Sequence, residues 1–148
     1  VTDSAPSSLP SPVPAPPGLS ADARCPCLSG APYGECCGPF HAGTAVVPTA
    51  EQLMRSRFSA FAVGDPAYLL ATWHPSTRPS RLELDDSLRW YRLDIPSRSA
   101  GGPLDTEGVV EFAAHHRPRP GHPGAAGMQH ETSRFVREGG RWYYVDAL

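Results

Sequence analysis

The sequence predicts an α+β fold, helices first and antiparallel strands after, with a small cysteine motif in front. Three observations carry this. Long apolar residues recur at helical spacing from residue 49 to 73, apolar and polar residues alternate after residue 90, and all four cysteines lie within residues 25–37. Runs of helix followed by runs of strand, rather than alternation of the two, are the mark of an α+β chain.

The elements follow in order. Residues 1–23 carry prolines among Ser and Ala, six of them in the first twenty positions, with no aromatic residue and no apolar period. This segment reads as a disordered, polyproline-like tail. Residues 24–43 form the cysteine motif, and residues 44–148 supply the long apolar side chains of a folded domain. Thr49 and Gln52 have the spacing of a helix-capping pair. Met54, Phe58, Phe61 and Ala62 then share a helical face that ends at Gly64. Asp65-Pro66 reads as an N-cap followed by proline at the first helical position, so a second helix follows at once. It carries Leu69, Leu70 and Trp73 and stops before Pro75. A short third helix is predicted over residues 80–88. The core is expected to take Met54, Phe58, Phe61, Leu69, Trp73 and Phe112.

Strands are predicted next. Tyr91, Leu93 and Ile95 alternate with Arg92 and Asp94, and Val110, Phe112 and Ala114 alternate with Glu111 and Ala113. Two further strands, 128–137 and 141–146, meet at Gly139-Gly140, a pair suited to a two-residue hairpin turn. Arg117 to Gly127 holds three prolines and three glycines and reads as a long hairpin loop.

Composition narrows the function. The chain has 148 residues, 40% hydrophobic and 19% charged, with a formal net charge of −2. That describes a soluble globular protein without the basic face that nucleic-acid binding needs. Arg24 is the only basic residue in the cysteine motif, so nucleic acid is not the expected partner there. No 18-residue apolar run exists, which gives no membrane span. The first twenty residues lack the basic and apolar regions of a secretory signal, so the expected location is the cytoplasm. In that compartment clustered cysteines serve as metal ligands more often than as disulfides.

The cysteines stand as Cys25-Pro-Cys27, eight residues, then Cys36-Cys37. Zinc takes four thiolate or imidazole ligands in a tetrahedron. Two close pairs joined by a short turning loop supply that set, which makes Cys25, Cys27, Cys36 and Cys37 the candidate zinc ligands. Four thiolates fill the coordination shell, so the site is expected to be structural, not catalytic. Disulfides, an iron–sulfur cluster, redox-active thiols and His41 in place of one cysteine are the competing readings.

The run Cys25-Pro-Cys27-Leu-Ser-Gly, then Tyr33, then Cys36-Cys37-Gly, resembles the SEC-C motif, a zinc-binding module found at the C-terminus of the SecA translocation ATPase. Beyond it, Leu53-Met-Arg-Ser-Arg-Phe-Ser-Ala-Phe61, Thr72-Trp-His-Pro-Ser-Thr-Arg-Pro79, Gly108-Val-Val-Glu-Phe112, His130-Glu-Thr-Ser-Arg-Phe135 and Gly140-Arg-Trp-Tyr-Tyr-Val-Asp146 resemble the uncharacterised bacterial YchJ family. The resemblance spans residues 24–148. It implies a zinc motif followed by a cone-shaped domain like nuclear transport factor two, with helices on a curved, mainly antiparallel sheet. It also implies protein partners, associated with the ribosome or with translocation, and no established activity.

Two functions are therefore expected from different classes. The first is a noncatalytic binding or adaptor protein stabilised by a structural zinc site. The second is a small-molecule binder or enzyme that uses the mouth of the cone, for which the candidates are Trp73, His74, Glu111, His130 and Glu131. A His beside a Glu is a proton-transfer pair. His130 and Glu131 are neighbours on a strand and point to opposite faces, so only one of them can face the cone. Trp73 sits on an apolar face, His74 at a helix end and Glu111 on an alternating strand, where core, cap and solvent are their ordinary roles. His115, His116 and His122 near the long loop form a further candidate cluster. Arg55 and Arg57 are expected at the surface or in ion pairs.

Overall fold

A computed structural model describes residues 19–148. Most of the proline-rich segment lies outside the described residues. Its last five positions, 19–23, are hydrogen-bonded onto the cysteine loop: Tyr33 N–H donates to the Ala23 carbonyl at 2.7 Å and Gly34 N–H to the Ala21 carbonyl at 2.9 Å.

A single 3-10 turn, Tyr33–Glu35, separates the two cysteine pairs, and a short helix α1, Gly38–Ala42, follows the second. Then come α2 (Ala50–Val63) and α3 (Pro66–Ala71). Their starts follow the sequence chemistry. Gln52 N–H donates to Thr49 Oγ1 at 3.1 Å, and Tyr68 N–H donates to Asp65 Oδ1 at 3.1 Å with Pro66 in the first turn. Each bond satisfies one of the donors a helix start leaves free.

Four strands complete the chain: β1 (Leu88–Ala100), β2 (Glu107–Pro118), β3 (Gly127–Glu138) and β4 (Arg141–Ala147). They form one antiparallel sheet in the order β1-β2-β3-β4. Gly139 and Gly140 take φ of 59° and 80° between β3 and β4, the doubly positive turn that matches strand twist. The α+β class stands as the sequence pattern predicts, and the helices on a mainly antiparallel sheet are what the family resemblance implies. No helix among the described residues is long and apolar enough to cross a membrane.

The structure corrects three details. Residues 80–87 form no helix. Leu82 and Leu84 are half-buried between exposed Arg81 and Glu83, a period of two. Asp85 Oδ1 accepts the Ser87 N–H at 2.9 Å, a local turn that competes with helix. Strand β1 runs well beyond the alternating stretch, because register shifts between Trp90 and Arg92 and between Asp94 and Ser97 break the alternation. Pro96, which has no N–H to give a ladder, sits inside the second shift.

The third correction concerns the core. Ala50, Leu53, Met54, Phe58, Leu93, Val110, Phe112, Ala114, Phe135 and Trp142 pack between α2 and the inner face of the sheet, and Leu69 is fully buried beside them. Phe61 and Trp73, expected in that core, are only half-buried. Phe61 lies on the last turn of α2, and Trp73 is bridged to Tyr144 on β4. Both wall an open cavity instead of filling it.

Candidate metal centre

The cysteine motif is built by short-range hydrogen bonds before any ion is considered. Leu28 N–H donates to the Cys25 carbonyl at 3.0 Å, which turns the chain so that Cys25 and Cys27 present their sulfurs together. Cys25 N–H donates to the Ala31 carbonyl at 3.0 Å and closes the loop. After the second pair, a Cβ at Gly38 would lie 2.7 Å from the Tyr33 carbonyl oxygen. Only glycine fits where α1 begins.

The four sulfurs lie within 4.8 Å of one another. Cys27 and Cys36 Sγ are 3.6 Å apart, and Cys36 and Cys37 Sγ 3.9 Å. A tetrahedron with Zn–S of ~2.3 Å has edges of about 3.8 Å, so the residues present fit the ion. The same spacing sets them apart from disulfides, whose S–S length is ~2.05 Å, and all four cysteines are free. Cys25, Cys27 and Cys37 are buried, while Cys36 is partly exposed. Hydrogen bonds with Cys27 and Cys37 hold the Cys25 thiol below its usual range, and those with Cys25 and Cys27 push Cys37 up. Burial pushes Cys36 up to about 11. Without a cation the cluster stabilises one thiolate at the expense of its neighbours, because like charges at this distance repel. Among the described residues no other group of three or more Cys, His, Asp or Glu gathers this closely.

Helix α2 supports the cluster through Ser59 and Arg55, which the cysteine spacing does not predict. Ser59 Oγ donates to Cys37 Sγ at 3.3 Å and lies 3.5 Å from Cys25 Sγ. Arg55 Nη1 donates to the Cys27 carbonyl at 3.1 Å while its Nε pairs with Glu51 at 3.0 Å. Such outer contacts orient thiolates and temper their charge. Ser56 and Ser59 are both fully buried. Ser59 meets the cluster while Ser56 Oγ meets Tyr68, and two small polar residues three apart on one helix face are the signal that could have announced it.

His41 is engaged away from the cluster by its own hydrogen bonds. Its Nε2–H donates to the Ser56 carbonyl at 2.8 Å, and its Nδ1 accepts the Tyr33 hydroxyl. Its ring packs 4.6 Å from Tyr68 on α3. Burial lowers its pKa, which favours this neutral form. His41 therefore ties the cysteine motif to α2 and α3. His41→Ala is expected to lower stability by about 1–3 kcal/mol, the penalty of leaving buried polar partners unmatched. Metal content should be unchanged. Urea unfolding with metal analysis checks both, and loss of metal in this variant would restore His41 as a ligand.

The remaining candidates separate. Glu131 stands opposite Phe112 in the β2–β3 register and faces the cone, whereas His130 stands opposite Ala113 and faces outward. His130 Nε2 pairs there with Glu111 at 2.7 Å, so this His–Glu couple exists, but on the wrong side of the sheet for the cone. Ser97 Oγ donates to the same Glu111 at 2.7 Å, and these bonds, Ser97's first, hold the Glu111 carboxyl below its usual value. The acid lies between serine and histidine, so the histidine does not activate the hydroxyl. His74 caps no helix carbonyl. Its Nε2 pairs with Glu138 at 3.0 Å and its Nδ1 meets Ser76 Oγ at 2.7 Å. His115 pairs with Asp94 at 3.0 Å and His116 packs on Trp90, so these two do not converge. Only Trp73 and Glu131 of the five line the cavity.

Arg57 lines it too, which overturns the surface or ion-paired role expected for it. It is 4% exposed. Its Nη1 donates to the Leu69 carbonyl at 2.8 Å and to Thr72 Oγ1 at 2.7 Å, and the guanidinium lies over the rings of Trp73 and Tyr144. Burial pushes its pKa down to about 10. Helical spacing held the clue, since position 57 is four residues from both Leu53 and Phe61 on the apolar face.

Comparison with known proteins decides the family. The profile described as the YchJ middle NTF2-like domain matches residues 49–147, and the SEC-C motif matches residues 23–39. The chain belongs to the YchJ family. Among its YchJ relatives, a UPF0225 protein of Corynebacterium efficiens is 53% identical over 83% of this chain and 91% of its own length. One from Streptomyces coelicolor is 50% identical over 82% and 92%. A SEC-C motif containing protein of Rhodopseudomonas palustris has a solved structure that matches with a TM-score of 0.72 at 33% identity, covering 84% of this chain and 97% of that one. Another, from Psychrobacter arcticus, matches at 0.67 and 27%, covering 85% and 82%. The YchJ domain and the SEC-C motif thus coincide with the sheet-and-helix unit and the cysteine cluster.

Proposed function

We propose that Cys25, Cys27, Cys36 and Cys37 hold one zinc ion at a closed structural site, and that the protein is a noncatalytic binding or adaptor protein. The gathering of four sulfurs within 4.8 Å carries this reading. A bound zinc supplies the charge that lets all four thiolates coexist and cross-links a loop with little core of its own. Zinc suits the set because it is held well by thiolates and has no redox chemistry at a filled site. The SEC-C match supports a protein as the partner. In the second reading the protein binds a small molecule in the cone, favoured by the buried Arg57 in the cavity wall.

The metal is tested by elemental analysis of protein purified without added metal. About one zinc per chain is expected of one four-ligand site. Near-zero metal, with four freely reactive thiols and an unchanged fold, would sink the reading. Partner binding is tested by capture with the full chain and with Cys27→Ser. A partner retained equally by both would remove the motif from the interaction.

A further inference from the structure

The open cavity between α2 and the inner face of the sheet has a volume of about 140 Å³. That is near the size of an engineered apolar cavity that takes up benzene. Its walls divide into two ends. At one end Trp90 packs 6.4 Å from Phe58 and 5.9 Å from Phe61, giving an aromatic lining. At the other, Arg57, Trp73, Tyr144 and Glu131 form a polar group.

The polar end has more donors than acceptors. Of the guanidinium nitrogens only Nη1 donates to a protein acceptor among the described residues. A guanidinium has five N–H groups, so three of them lack an acceptor. No carboxylate forms an ion pair with Arg57 among the described residues. Trp73 Nε1–H is buried and also has no acceptor. Glu131 shares the cavity wall and its charge acts on Arg57, but no hydrogen bond or ion pair joins the two, and its carboxylate accepts instead from Gln129 at 3.2 Å, Ser133 at 2.6 Å and Tyr144 at 3.1 Å. Unlike the indole N–H of Trp73, the free guanidinium N–H groups are not sealed in protein, and a guanidinium this buried is normally matched by an anion.

We propose that this cavity binds a small carboxylate with a flat apolar body. Arg57 takes the carboxylate, and the Phe58, Phe61 and Trp90 end takes the body. The planar guanidinium suits a carboxylate because it offers two parallel N–H groups. An inorganic anion would leave the aromatic end unfilled, and an amine would meet the charge of Arg57.

This inference rests on the small-molecule reading of the cone, and the experiment separates the two. Benzoate is the probe, titrated into the full metal-loaded chain and followed by tryptophan fluorescence and the indole N–H resonances. Benzylamine is the control of equal size and opposite charge. Saturable benzoate binding, with no response to benzylamine, is expected. Arg57→Lys keeps the charge and removes the planar pair of N–H groups, and should weaken benzoate about tenfold. Glu131→Gln removes a neighbouring negative charge and should tighten it. Benzylamine binding in place of benzoate would overturn the carboxylate and leave the small-molecule reading standing. No saturation by either would overturn both. Benzoate affinity unchanged by both Arg57→Lys and Glu131→Gln would overturn the site.

Discussion

Cys27→Ser is expected to abolish metal binding and unfold the cysteine motif while the helix–sheet domain stays folded. The motif has little else to hold it. Its apolar contacts are the three buried cysteines and Tyr33, with Leu19 and Cys36 partly packed against them. A structural zinc contributes on the order of 10 kcal/mol to modules of this kind, and three thiolates around one ion leave the shell open. The domain keeps its own core, a separate cluster between α2 and the sheet. It would lose the contacts that reach α2, from Arg55 to the Cys27 carbonyl, from Ser59 to Cys37 and from His41 to Ser56. At roughly 1 kcal/mol for each net hydrogen bond, the domain should be weakened, not lost. Backbone amide spectra would separate the two parts, with residues 24–43 moving to unfolded positions and β2 and β3 keeping theirs. Collapse of the whole spectrum would mean that the domain depends on the cluster. Native motif signals with a full equivalent of metal would mean that Cys27 is not a ligand.

Phe135→Ala should give the largest loss of stability in the domain, about 3–5 kcal/mol, the range for truncating a buried phenylalanine. Phe135 is 0% exposed. It stands opposite Gly108 on β2 and Tyr144 on β4, with the Tyr144 ring 5.8 Å away. Gly108 has no side chain to move into the space, and the neighbouring strands limit collapse. Against a typical stability of 5–15 kcal/mol, that leaves a marginal fold. Urea unfolding measures it, and metal content should hold, because Phe135 lies outside the cysteine motif. Phe61→Ala is the contrast. It removes a half-exposed cavity wall and should lose less than half as much. Equal losses would contradict the division between core and cavity wall.

The parts legible in the sequence share one property, in that their chemistry is local. Thr49 and Asp65 announce helix starts because a cap is made within three residues. Gly139-Gly140 announces its hairpin because few residue pairs accept two positive φ angles. The cysteine cluster was legible because its four residues span thirteen positions and carry one favoured chemistry. Periodicity failed where register shifts interrupt β1 and where Asp85 turns back on Ser87 in place of a third helix. It was also too coarse to tell Phe58, in the core, from Phe61, at the edge of a cavity.

By itself the sequence determined the class of the fold, the placing of helices before strands and the four candidate ligands, since each follows from propensity, spacing or ligand chemistry within a short stretch. Tertiary structure alone decided which groups face each other across distance. It set the β2–β3 register that turns Glu131 inward and His130 outward. It placed Ser59 of α2 against Cys37 and closed both nitrogens of His41 with Tyr33 and Ser56. It buried Arg57 beneath Trp73 and Tyr144. These pairings join residues up to 87 positions apart, and a chain shows such distances only once packing has fixed them.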